Sequence, residues 1–253
     1  METRLFISII VLITLVVSFI VYLYVMYKKG EIDENPYSAI LVKERTILYF
    51  AFFRWKNVKT DHSADGVFPL HKNSTYFWLF IALIHEQIIE MFVLHIYLKK
   101  VDPSFANFFS MLHIYSILYI MGDYNWVRNT PILVKENTVE MKIGARRELS
   151  FHLRDVSSIQ QARLKHDKNG SIIHEQDVFH VTAFPRLLTK LFGISDELKH
   201  EIIFNKPITY KRYFGLKKQV TKVHIYIEDS VDFVHMLEMK LTDYDEKQRW
   251  VGE

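Results

Sequence analysis

His85, Glu86, Gln87, Glu90 and His95 lie within one long apolar run, and Asn107, Ser110 and His113 lie within the next. Ionisable side chains at bilayer depth are expensive and call for a partner or for water. Glu86 and Glu90 are four residues apart and share a helix face. Glu86 sits near the middle of its run and His113 near the middle of the following one, so antiparallel helices would bring the two level. Three chemistries fit the set His85, Glu86, Glu90 and His113. The first is an interhelical polar clamp with carboxyls kept protonated by burial. The second is a proton or ion relay, and the third is a metal site. Helical geometry counts against the third. At about 100° per residue, His85 and His95 stand about 80° apart and His95 stands about 140° from Glu90, so one helix cannot make them converge. The zincin pattern also fails, because the second histidine it needs is replaced by Ile89. No metal is expected.

A second chemistry-bearing stretch is basic. Lys206, Lys211, Arg212, Lys217, Lys218 and Lys222 occur with no Asp or Glu between Ile202 and Ile227. Lysines on an edge hairpin block strand-to-strand aggregation. The same cluster could rest on an anionic membrane surface or on a membrane-protein partner, each well-placed cation contributing roughly 1 kcal/mol against such lipid. Tyr210, Tyr213 and Phe214 are interleaved, but a formal net charge of only +3 gives no global attraction for nucleic acid, which is not expected as a partner. No nucleophile elbow, glycine-rich phosphate loop, zinc spacing or kinase signature occurs, so no cofactor is expected and an enzyme is the less favoured class. With no cysteine, disulfides and thiolate chemistry are excluded.

The elements that must position these residues divide the chain in two. Leu5 to Tyr27 carries no charge and is followed at once by Lys28 and Lys29. At 1.5 Å per residue such a helix crosses the roughly 30 Å hydrocarbon core. The run exceeds a signal-peptide core, and the lysines read as a stop-transfer flank. Further spans are expected over about 76–98 and 104–121, joined by a tight turn at Asp102-Pro103. Ala39 to Phe53 is apolar too, but Lys43, Glu44 and Arg45 at its centre make it an interfacial or cytosolic helix rather than a span. The 28–75 loop holds eight lysines and arginines, against Arg4 before the first span and Lys99 and Lys100 in the 99–103 turn. The positive-inside rule then puts the loop and everything after Met121 in the cytoplasm and the N-terminus outside, in a multi-pass cell-membrane protein.

From Pro131 the pattern becomes period-two alternation. Strands are expected at Thr138–Ile143, Glu148–Leu153, Val156–Arg163, Ile172–Glu175, Val178–Ala183, Glu201–Phe204, Ile208–Tyr213 and Lys222–Ile227. Hairpins are marked by Gly144, by Asp167-Lys168-Asn169-Gly170 and by Gly215. An amphipathic helix follows at Val231–Leu241, with Val234, Leu237 and Leu241 as its apolar stripe. The run EIIFNKPITYKRYFGLKKQVTKVHIYIEDSVDFVHMLEMKL resembles the C-terminal half of a bacterial pleckstrin-homology-like (PH-like) domain. The resemblance covers about 131–242 and implies a seven-stranded barrel capped by the terminal helix, frequently joined to transmembrane helices. It carries over no catalytic residues, and the apolar insert Phe184–Leu198, read as a helix or long loop, departs from it.

The expected architecture is therefore α+β. A membrane domain, 1–126, contains three transmembrane helices. A PH-like small β-barrel, 131–242, is capped by a C-terminal helix and followed by a charged tail, 243–253. The function expected is an interaction or scaffold module at the inner membrane face. The alternative is a small transporter or membrane-embedded enzyme using the Glu/His cluster. The oligomeric state and the partner are not written in the sequence.

Overall fold

The computed structural model describes residues 2–55, 63–71, 74–162, 175, 177–185, 188 and 198–251, with backbone alone for 2–9, 12 and 244–251. Helix α1 (Glu2–Lys28) leads to α2 (Pro36–Phe53), which starts with Pro36 in its first turn and Asn35 accepting a hydrogen bond from the Tyr37 amide. Then come α3 (Tyr76–Lys99) and α4 (Pro103–Arg128). Asp102 accepts from the Ser104 and Phe105 amides and Pro103 opens the helix, so the expected tight hairpin forms where a cap and a proline coincide.

Among the described residues, α3 and α4 are the two helices long and apolar enough to cross a bilayer. In α1 the apolar stretch so described is Ile13–Lys28, shorter than that. Two candidate spans therefore stand where three were expected. Helix α2 is not one of them, in keeping with its central charges. It lies against α4 at a close approach made by glycine: a Cβ on Gly122 would stand 2.3 Å from the Ile47 carbonyl oxygen. Phe50 stacks on Trp126 at 5.6 Å, and Asn125 donates to the Phe50 carbonyl at 3.2 Å. Lys43 turns toward the sheet and Glu44 accepts from the Tyr115 hydroxyl, so two of the three central charges are spent against protein. Arg45 lies on the exposed face with Leu41 and Leu48.

Among the described residues the sheet has eight strands: β1 (Gly66–Phe68), β2 (Ile132–Val134), β3 (Thr138–Ile143), β4 (Arg147–His152), β5 (Val156–Gln161), β6 (Val178–Val181), β7 (His200–Arg212) and β8 (Lys217–Ile225). Their order is β1-β2-β3-β4-β7-β8-β6, with β5 pairing on the first half of β7. The path ends at β1 and β6 without meeting, so the barrel expectation is corrected to an open, curled half-barrel, loosely PH-like in shape. Its edge strand β1 comes from the 28–75 segment and pairs antiparallel with β2. The stretches expected as separate strands at 201–204 and 208–213 are one bent strand, β7. Its register with β8 shifts between Ile203 and Ile208, around Pro207, a residue that has no amide to give to a ladder. Residues 172–174 of the expected strand 172–175, the turn 167–170 and most of the 184–198 insert lie outside the described residues.

Helix α5 (Ser230–Val251) continues past the expected end at Leu241. It covers the β1 end of the sheet: Phe233 meets Phe68 edge to face at 5.1 Å, and Lys240 reaches Asp65 at 2.7 Å. The buried core is continuous from Phe233 and Leu237 through the inward-facing side of the strands to Tyr76, Phe80 and Tyr124 on α3 and α4. Helices and sheet are thus joined by one hydrophobic core.

Candidate anion-binding cavity

The two sets of chemistry-bearing residues meet different fates. On the α3–α4 hairpin, His113 bonds to the Gln87 amide oxygen at 3.2 Å, and the Gln87 amide nitrogen donates to Glu90 at 3.2 Å. His95 bonds to Ser110 at 2.8 Å. The Glu86–His113 contact is therefore replaced by Gln87–His113, because Gln87 and not Glu86 lies on the face turned to α4. His85 and Glu86 are exposed and make no hydrogen bond or ion pair among the described residues. Among those residues no group of three His, Asp or Glu converges to hold a metal.

The six basic residues separate. Lys206, at the bend of β7, pairs with Asp155 at 2.9 Å. That carboxyl is held below its ordinary value: burial pushes it up and Lys206 more than reverses this. Lys222 lies 3.9 Å from Glu201, toward the other end of the sheet from the β7–β8 turn. The remaining four gather at that turn. Lys217 pairs with Asp33 at 2.7 Å and Lys211 lies 3.8 Å from Glu34, both partners belonging to the segment before α2. The turn is fixed on the helices. Ile32 bridges Leu216, Phe214 meets Phe19 of α1 at 5.3 Å, and Tyr119 of α4 donates to the Tyr213 hydroxyl at 3.0 Å.

This docking leaves an open cavity of about 730 Å³ between α2 and the sheet. Its walls are the segment that leads into α2 and the first half of that helix (Glu34 to Thr46), Trp126 at the end of α4, the β3–β4 turn and the end of β7. Five basic side chains line it, Lys43, Lys142, Arg147, Lys211 and Arg212, against two carboxylates, Glu34 and Glu148. The two acids are only loosely engaged, Lys142–Glu148 and Lys211–Glu34 both standing at 3.8 Å. Lys43 rests its ammonium 4.3 Å from the Tyr213 ring centre. Burial pushes that ammonium down to about 8, the mark of a cation short of compensating negative charge. Arg147 lies over the Phe179 ring at 5.4 Å. Ala39, Val42 and Ala145 supply apolar wall. The arrangement can hold an anion that also carries an apolar portion.

What fixes the β3–β4 turn is a polar knot that the sequence pattern did not mark. Gly144 adopts φ +50°, and a Cβ there would stand 2.9 Å from Val127 and 3.2 Å from the Asp123 carboxylate. The turn's Arg146 reaches Asp123 of α4 at 3.3 Å and donates to the Ala183 carbonyl at 2.8 Å. Tyr76, the first residue of α3, donates to the same Asp123 oxygen at 2.8 Å. Burial alone would push the Arg146 guanidinium down; Asp123 beside it more than reverses this and holds it above its ordinary value. One carboxylate thereby ties α3, α4 and the β3–β4 turn, and its partner Arg146 adds the loop that follows β6. The available signal was an acid, Asp123, inside the last turns of an apolar run.

Glu201 and His224 form a further buried pair at 3.0 Å in the sheet. Burial pushes Glu201 up, and the bonds from Gln160 and His224 overcome it and hold the carboxyl below its ordinary value. No family model matches the chain, and neither the curated proteins nor the solved structures include a significant match to it.

Proposed function

We propose that this is a non-enzymatic multi-pass membrane protein whose sheet is an interaction module at the cytoplasmic face, and that its cavity seats a phosphate-bearing anion, the headgroup of an anionic lipid. In this reading α1, α3 and α4 cross the bilayer with the N-terminus outside. The observation that carries it is the cavity itself: five cations, one of them desolvated, face two loosely held carboxylates at the level where the apolar helices enter the sheet. Support for the membrane setting comes from the exposed apolar faces of α3 and α4, including Trp78 at 69%, Phe92 at 60% and Met111 at 72%. On α2, Leu41 and Phe53 are likewise exposed, the pattern of a helix lying in the interfacial plane.

The test is lipid retention. Protein extracted in mild detergent is loaded with phosphatidylglycerol, phosphatidylcholine or inorganic phosphate and its thermal unfolding is followed. Stabilisation by phosphatidylglycerol, lost in the Lys43→Gln, Arg147→Gln double variant, supports the reading. Stabilisation by inorganic phosphate alone would move the ligand from a lipid to a soluble anion, and no response to either would overturn it. Orientation is read separately: a phosphatase fused to Glu253 and found active outside the cell would reject the cytoplasmic placement.

A further inference from the structure

The face of α3 turned away from α4 is not uniformly apolar. Ala82, His85, Ile89, Phe92 and Ile96 follow one another at spacings of three, four, three and four residues, and all are exposed. Ile89 is 49%, Phe92 60% and Ile96 61% exposed. That spacing is the a/d seam of a left-handed helix pair. In it Ala82, Ile89 and Ile96 occupy a positions, His85 and Phe92 occupy d positions, and Glu86 takes the e position beside His85. The inner face is already used, with Gln87 on His113 and His95 on Ser110.

His85 and Glu86 thus project from the outer face with no partner among the described residues, in the middle of a helix long and apolar enough to cross a bilayer. Lipid cannot satisfy them. Two copies of α3 related by an axis along the bilayer normal place equal residues at equal depth. A knob at a d position then packs beside the e position of the other helix. His85 of each copy meets Glu86 of the other, and the pair occurs twice in one isologous contact. A partner with a different sequence would have to supply both an acceptor and a donor at this depth. The chain supplies both to itself.

We infer that the protein self-associates through this seam of α3, with reciprocal His85–Glu86 hydrogen bonds at its centre. The inference rests on α3 crossing the bilayer. The native chain has no cysteine, so single cysteines report contacts without background. Ile89→Cys and Phe92→Cys, oxidised in native membranes, are expected to give a product of twice the monomer mass. Tyr97→Cys, exposed but off the seam, is not. In the Ile89→Cys background, Glu86→Ala with His85→Ala should lower the yield about tenfold, the value of one or two interhelical hydrogen bonds. Equal yields at Ile89 and Tyr97, no dimer at either seam position, or cross-linking only to another polypeptide would overturn the inference. Failure of the span is distinguishable. A water-soluble maleimide that labels Ile89→Cys in intact membranes, before detergent is added, would show that α3 does not cross.

Discussion

The junction between helices and sheet and the far half of the α3–α4 hairpin both place ionisable residues among apolar ones, yet they treat them oppositely. At the junction, Asp123 and Arg146 are enclosed and bonded to each other, to Tyr76 and to the Ala183 carbonyl. Along the hairpin, His85 and Glu86 stand on the outside, and the inner contacts are hydrogen bonds of imidazole with amide or hydroxyl, Gln87–His113 and His95–Ser110. The contrast separates two uses of polarity. Charge enclosed within the chain fixes how its own elements meet, whereas charge left outside is available only to something else.

The largest effect is expected where one partner of the enclosed pair is removed. Asp123→Ala leaves a buried guanidinium without its carboxylate, and such deletions cost about 3–5 kcal/mol. The variant should unfold at markedly lower temperature in detergent and become protease-sensitive in the β3–β4 turn. A loss below about 1 kcal/mol would mean that water already solvates Arg146, and the contrast with the hairpin would dissolve.

Next comes the α2–α4 contact that walls the cavity. Gly122→Val puts side-chain atoms where the Ile47 carbonyl oxygen and Cγ2 already lie, at 2.3 and 2.6 Å from the Cβ position. Overpacking of this kind costs roughly 1–3 kcal/mol. Because α2 can move away from α4, the more sensitive measure is anion binding, which should fall further than stability does. Unchanged phosphatidylglycerol binding in Gly122→Val would detach the cavity from the α2–α4 packing.

A smaller effect is expected from the ionisation of Lys43. Its folded value is lowered to about 8 from 10.5 by burial. Between those values the unfolded chain binds more protons than the folded one, so this group makes the ligand-free protein more stable as pH rises through that window. The anion needs the charged ammonium, so its affinity should fall over the same rise. Unfolding temperature against pH, with and without phosphatidylglycerol, should therefore show two curves that converge above pH 8. Curves that stay parallel would remove Lys43 from the site.

The parts of this contrast differed in how plainly the sequence spelled them. The α3–α4 hairpin could be read because Asp102-Pro103 both caps and opens α4, a local signal. Strand β3 matched its alternation from Thr138 to Ile143 because its pairing follows a regular register. Strand β1 could not be read: three residues are too few for a period, and its partner β2 lies across two intervening helices. The split of β7 into two expected strands followed Pro207, which marks a bend with a register shift and not a break. The cavity was half legible. Lys211 and Arg212 stood out as part of a basic run, while Lys142 and Arg147 join them through the β3–β4 and β4–β7 pairings, and Lys43 only through the docking of the β7–β8 turn on the helices. The Asp123–Arg146 pair stayed hidden because its two halves belong to different periodic patterns.

The smallest effect on the monomer, and the sharpest on the contrast, is expected at Glu86. As an exposed carboxyl without a partner among the described residues, it should be replaceable by Gln within about 0.5 kcal/mol of monomer stability. The amide keeps the size of the side chain and an acceptor oxygen, so Glu86→Gln should also retain much of the association with His85 of a second copy, while Glu86→Leu should not. Monomer stability in detergent and cross-linking yield in membranes then separate the two uses of polarity within one position. A destabilised monomer in Glu86→Gln would show that the carboxyl works inside the chain after all. A stable monomer whose Ile89→Cys dimer yield is unchanged by Glu86→Leu would show that the outer polar groups serve neither end.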